Sequence, residues 1–224
     1  MNTRALLKQT ILSALLLIFS GFIGVDGAEA AGLSESEFVD VKSVAPTILV
    51  ELRYATSNNF IRRPLYRADM PAMVRLSVAR RLAVAQKFLE KRGYGLKIWD
   101  AYRPKAAQVQ LWKAIGNHAY VADPKDIGSM HTRGAAVDVT LVDGSGREVP
   151  MPTEFDNFTP AAMIDYQGRS PVVRSNLKML QKAMAHGGFY GLRTEWWHFC
   201  AADWTTYQPV PELQLLVRAP EPGS

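Results

Sequence analysis

The chain of 224 residues contains one cysteine, Cys200, so an intrachain disulfide is excluded. It has no internal repeat, no low-complexity tract and no long linker apart from a proline-containing tail after Val217, and one domain is the economical reading. Positive charge is not gathered anywhere. The formal net charge is +5 with the basic residues dispersed, which argues against a nucleic-acid partner. Beyond Val25 no stretch is long and apolar enough to span a bilayer, so no membrane span is expected in the body of the chain.

What the amino terminus does contain is Arg4 and Lys8, an uncharged apolar run from Ile11 to Val25, and then Ala28-Glu29-Ala30 before Ala31. Charge, short apolar core and A-x-A pattern together predict a secretory signal peptide over residues 1–30. The apolar run falls short of the roughly 20 residues a membrane anchor needs. The expected mature domain, residues 31–224, is therefore exported, to the periplasm or the medium. Removing residues 1–30 takes away two basic and two acidic residues, so the +5 balance survives. It suits a protein near anionic cell-wall polymer and equally an ordinary soluble one.

Periodicity predicts an α+β fold, a single domain with helices packed on a mainly antiparallel sheet. Asp69-Met70-Pro71 offers a helix start, and Val78, Leu82, Ala85 and Leu89 recur at helical spacing until Gly93. Gly95 to Tyr102 reads as a strand, Pro104 as the start of a helix carrying Val109, Leu111 and Trp112. From Gly134 to Val142, Val137, Val139 and Leu141 alternate with Asp138 and Thr140, the pattern of a half-buried strand whose polar side carries Asp138. Val173, Leu177, Leu180 and Met184 mark another helix ending at Gly187-Gly188, and a last strand runs from Trp196 to Cys200.

Two segments carry the chemistry: Ser129 to Asp138, and Glu195-Trp196-Trp197-His198. A catalytic zinc needs three protein ligands and one open position, and His131, Asp138 and His198 supply nitrogen, oxygen and nitrogen. One Zn2+ per chain is the expected cofactor. Gly134 lies where the chain could bend between His131 and Asp138. Zinc would acidify a water, and Glu195 would take its proton as the water attacks a peptide carbonyl, then pass it to the leaving amine. A fixed cation such as Arg103 would stabilise the developing oxyanion. Glu195 and His198 are three apart, which puts them on opposite faces of a regular strand. A shared site then requires Glu195 in the preceding turn or a bulge between them. Taken singly, His131 could be an exposed loop imidazole, Asp138 a partner of Arg133, and Arg103 a surface partner of Asp100. Cys200, two residues past His198, could be a soft ligand or a packed thiol.

With those residues in hand, the chain resembles the D-alanyl-D-alanine dipeptidases, the VanX type of zinc peptidase. The resemblance runs in order through Tyr54-Ala55-Thr56 with Asn59-Phe60, Trp99 to Pro104, Ser129 to Asp138, Phe155-Asp156 and Glu195 to His198. It implies that His131, Asp138 and His198 bind zinc, that Glu195 is the base, and that Arg103 faces the oxyanion. It further implies that Tyr54, Ser129 and Asp156 hold the free amino end of a small dipeptide substrate, and it alone implies a D,D preference. An acid that pairs with an ammonium would reject a peptide whose nitrogen is acylated. Cell-wall turnover is the expected setting. The stretch from Arg103 to His131, which contains Asp123-Pro124-Lys125, is shorter than in some relatives, so pocket access is expected to differ. Two other readings share the ligands: a peptidoglycan-trimming D,D-carboxypeptidase or L,D-endopeptidase, and a noncatalytic zinc module that binds cell wall. The second leaves Glu195 and Arg103 without a task.

Overall fold

The computed structural model describes residues 34–210 with the exception of Ile127. The expected signal peptide and the tail after Val217 lie outside the described residues. In chain order the regular elements are β1 (Phe38–Asp40), α1 (Val41–Val44), β2 (Leu49–Val50), β3 (Met73–Arg75), α2 (Leu76–Glu90), β4 (Tyr94–Asp100), α3 (Lys105–Ile115), β5 (Ala136–Asp143), α4 (Pro171–His186), β6 (Phe189–Leu192) and β7 (Glu195–Ala201). The main sheet has the order β2-β4-β5-β7-β6 and is antiparallel except for the β2–β4 pair. β1 and β3 form a separate antiparallel ribbon. α2 and α4 pack on each other, α2 against β4 and α4 against β5 and β6. The α+β architecture read from the periodicity is present, with the sheet mainly antiparallel.

Helix α2 buries Val78, Leu82, Ala85 and Leu89, and side chains of this size contribute about 1.5–3 kcal/mol each when fully buried. It begins later than Asp69-Met70-Pro71 suggests. Met73–Arg75 pairs with Phe38–Asp40, so a strand takes up the residues after Pro71, and Arg75 is still extended at φ −62°, ψ 146°. This pairing spans more than thirty residues of sequence, and a local helical period carries no trace of it. Pro104 caps α3 as expected, although the buried stripe is Ala107, Gln108 and Leu111, with Val109 and Trp112 only partly covered.

Strand β5 differs from its half-buried reading, since every residue from Ala136 to Val142 is buried. Leu96 opposite Leu141, Ile98 opposite Val139 and Phe199 opposite Val137 form one apolar face. The other face carries Asp138 and Thr140, and the segment 148–154 lies beside Thr140 and Trp99. Trp99 anchors that segment, donating to Glu148 Oε1 at 3.1 Å and packing against the Phe155 ring. Burying a carboxylate there costs free energy unless it has partners, so Asp138 must be held by opposite charge or a cation.

Candidate active site

Asp138 lies directly across from His198 in the β5–β7 ladder. His131 comes to them from a short helical turn, His131–Arg133, which ends at Gly134 in the left-handed region (φ +66°). A side chain at Gly134 would also meet the Phe38 ring at 2.5 Å, so this bend needs glycine twice over. The Ala101 carbonyl accepts from His131 Nδ1 at 2.8 Å, which leaves Nε2 as the lone-pair nitrogen. Nε2 is 3.1 Å from His198 Nδ1 and 3.4 Å from Asp138 Oδ1, and those last two atoms are 2.9 Å apart. Ligands about 2.0–2.1 Å from a tetrahedral ion lie about 3.3 Å from one another. The three atoms therefore fit one zinc without rearrangement. Although burial opposes ionisation, His131 and His198 hold Asp138 well below the usual carboxylate range. Arg133, the alternative partner considered for Asp138, instead donates to the Tyr207 carbonyl. With Nδ1 as ligand atom, His198 Nε2 faces Cys200 Sγ at 3.2 Å, so the single cysteine backs a ligand and lies outside the three-residue cluster.

Glu195 is the first residue of β7, and a bulge resolves its spacing to His198. Gly191 opposes Phe199, yet the next residue, Leu192, opposes Glu195. Four steps of β7 thus answer one step of β6, and Glu195 and His198 both line the same pocket. Glu195 Oε1 is buried and accepts no hydrogen bond among the described residues. Burial pushes this carboxyl up to about 8, His198 opposes the shift, and the charges of Asp138 and Asp156 add to it.

Arg103 follows β4 and is buried, not a surface residue. Its Nε and Nη2 donate to Asp100 Oδ2 at 2.9 and 2.8 Å, and Nη2 lies 3.5 Å from Asp138 Oδ2. A second bulge makes this possible: Ile98 opposes Val139, but Asp100 opposes Asp138, so Trp99 is the extra residue. Asp100 Oδ1 accepts in turn from Tyr66 Oη at 2.9 Å and from Ala101 N at 3.0 Å. The guanidinium also stands over the Tyr54 ring at 5.1 Å.

The far end of the pocket is built on turns. Tyr54 Oη donates to Asp156 Oδ1 at 3.1 Å, and Phe60 N donates to Oδ2 at 3.2 Å. Asn59 organises that turn by donating to the carbonyls of Arg53, Thr56 and Arg63. Phe155 packs on Tyr54, Trp99 and Trp197 and so aims its neighbour Asp156 inward. Asp156 has a left-handed backbone, φ +59°. Burial raises its carboxyl to about 7, against the Phe60 hydrogen bond and with help from Asp138. Ser129 Oγ accepts from His131 N at 3.2 Å.

All eight residues singled out from the sequence, Tyr54, Arg103, Ser129, His131, Asp138, Asp156, Glu195 and His198, line this one pocket. The opposite wall, His118 to Ala122 with Phe158 and Leu192, has no motif that would have announced it. Asp100 was visible as the neighbour of Arg103, but the bulge that aims it was not. Gln108 has no motif that sets it apart from the other residues of its helix.

The family described as D-ala-D-ala dipeptidase matches residues 34–215. Similar proteins include the D-alanyl-D-alanine dipeptidase of Escherichia coli (strain K12), 34% identical over 164 residues, 73% of this chain and 84% of that protein. The D-alanyl-D-alanine dipeptidase of Enterococcus faecium is 28% identical over 200 residues, 79% of this chain and 95% of that protein. The protein of the same name from Streptomyces coelicolor is also 28% identical, covering 79% and 95%.

Proposed function

Because the chain belongs to the D-ala-D-ala dipeptidase family and is a zinc metallopeptidase, we propose that it hydrolyses free D-Ala-D-Ala to D-alanine. The observation that carries this reading is the convergence in one pocket of a metal-ligand cluster, a buried Glu195 oxygen with no partner among the described residues, and the buried Asp156 carboxyl.

His131, Asp138 and His198 would hold a Zn2+, which would supply Lewis acidity and acidify a water. Glu195 takes a proton from the attacking water and returns it to the leaving amine. Its raised pKa suits both halves of that exchange, and positive charge held at the adjacent cluster draws the value back toward neutrality. Arg103 has five N–H groups, of which Asp100, Asp138 and Gln108 take four, leaving one on Nη1 for the carbonyl oxygen as it gains negative charge. At the other end Asp156 pairs with the substrate ammonium, while lone pairs on the Tyr54 and Ser129 hydroxyls accept from it. An uncharged Asp156 carboxyl releases its proton to solvent when that ammonium arrives.

Export by the segment 1–30 puts the reaction in cell-wall turnover, where D-Ala-D-Ala would be recovered outside the cytoplasm. The deciding assay offers purified zinc-loaded protein free D-Ala-D-Ala beside an N-acylated tripeptide ending in D-Ala-D-Ala. The free dipeptide should be cleaved at least about a hundredfold better, since the blocked nitrogen leaves Asp156 unpaired. Preference for the blocked peptide would replace this reading with a D,D-carboxypeptidase, and binding without turnover would replace it with a cell-wall module. Cell fractionation belongs to the same experiment, and recovery solely from cytoplasm ends the turnover role.

A further inference from the structure

Gln108 is 1% exposed, faces Arg103 from α3, and uses both ends of its amide. Oε1 accepts from Arg103 Nη1 at 3.0 Å, and Nε2 donates to the Ala122 carbonyl at 2.7 Å. The partners dictate this orientation: a guanidinium can only donate and a carbonyl can only accept, so the flipped amide would lose both bonds. Ala122 ends the wall segment 118–122, which lines the pocket with Arg103. Carboxylates hold Arg103 through Nε and Nη2, whereas its Nη1 has Gln108 as partner. By taking one Nη1 hydrogen, Gln108 directs the other.

We propose that Gln108 is a positioning residue that sets the free N–H of Arg103 and the wall 118–122 with a single side chain. The proposal rests on the reading of Arg103 as the group that meets the developing oxyanion. A donor lost from such a place costs about 10²–10³ in rate, and one misaligned by a fraction of an ångström costs less, about tenfold. Packing alone would require only volume at this position, which methionine supplies.

The test compares wild type, Gln108→Met and Gln108→Asn as zinc-loaded mature protein, with D-Ala-D-Ala as substrate and hydrogen exchange as a second readout. The methionine variant removes both bonds. The asparagine variant keeps the amide but is one methylene too short to reach both partners. We expect kcat to fall about tenfold in Gln108→Met and about threefold in Gln108→Asn. KM should change less than kcat, zinc content should be unchanged, and the amides of residues 118–122 should exchange faster in both. A folded, zinc-loaded Gln108→Met with kcat within twofold of wild type overturns the proposal. So does unchanged exchange at 118–122, or a drop in kcat that merely follows lost zinc. Should the methionine variant not fold, the asparagine variant is judged by the same three readings. If wild type leaves D-Ala-D-Ala intact, the proposed reaction is lost, while exchange at 118–122 and the Arg103 Nη1–H resonances still decide what Gln108 holds.

Discussion

One half of the pocket stands on paired strands and the other on turns. Asp138 and His198 face each other across the β5–β7 ladder, and Glu195 is aimed by a bulge in the adjoining β6–β7 pair at the edge of the sheet. Tyr54, Ser129 and Asp156 sit on irregular segments held by side-chain bonds, such as Asn59 to three carbonyls and Phe60 N to Asp156. Strand pairing fixes atoms to a few tenths of an ångström, which ligand geometry and proton transfer demand. Turns can be reshaped without disturbing the sheet, which suits the part of a site that selects its ligand. The comparison therefore assigns selection to the turns and most of the chemistry to the strands, with His131 and Arg103 brought in from the segments that flank them.

The sharpest way to break that division is Glu195→Ala. It should reduce kcat by about 10³-fold or more while zinc stoichiometry by metal analysis stays at one per chain. Unchanged hydrolysis would remove Glu195 from proton transfer and leave the strand half with metal binding alone.

A second experiment measures how far the strand half is set against stability. The Glu195 carboxyl is raised to about 8 from an ordinary 4.5, so between these values the folded chain holds a proton that the unfolded chain releases. Stability is then lost as pH rises through that window, and Glu195→Gln removes the loss. In chelator-treated protein, thermal melting should show the variant gaining on wild type from pH 5 to pH 8, by about 3–4 kcal/mol over that range. A constant gap across that range would contradict the burial of an ionisable Glu195.

The smallest effect is expected on the turn side. Asp156→Asn should raise KM for D-Ala-D-Ala about tenfold, with kcat within about threefold and zinc retained, and the preference for a free amino end should shrink. Lost zinc would move Asp156 into the metal shell and blur the two halves.

The same division governs what could be read from the chain. Alternation in β5 correctly put Asp138 on the side opposite Val137, Val139 and Leu141, because period-two patterning is local. It could not reveal that the polar side is covered as well, since the covering segment arrives from elsewhere in sequence. The start of α2 was misread for a related reason: β3 exists only through pairing with β1. For Glu195, where two functional residues conflict with strand period, a bulge was one of two resolutions open, the other being a place in the preceding turn; at Trp99 no conflict announced a bulge. The turn half was legible only through resemblance. A tyrosine, a serine and an aspartate far apart have no spacing that marks them, and the wall 118–122 carries no motif that marks it as part of a site.

Asp156 adopts its φ of +59° where glycine or asparagine would sit with less resistance. A carboxylate there works against its own main chain as well as against its desolvated surroundings. Random drift at this codon, judged by folding alone, would run toward asparagine or glycine and make a sturdier molecule with a blunted sense of its ligand. Screens for thermostable variants of this protein should accordingly be paired with a substrate screen, or they will enrich for its loss of discrimination.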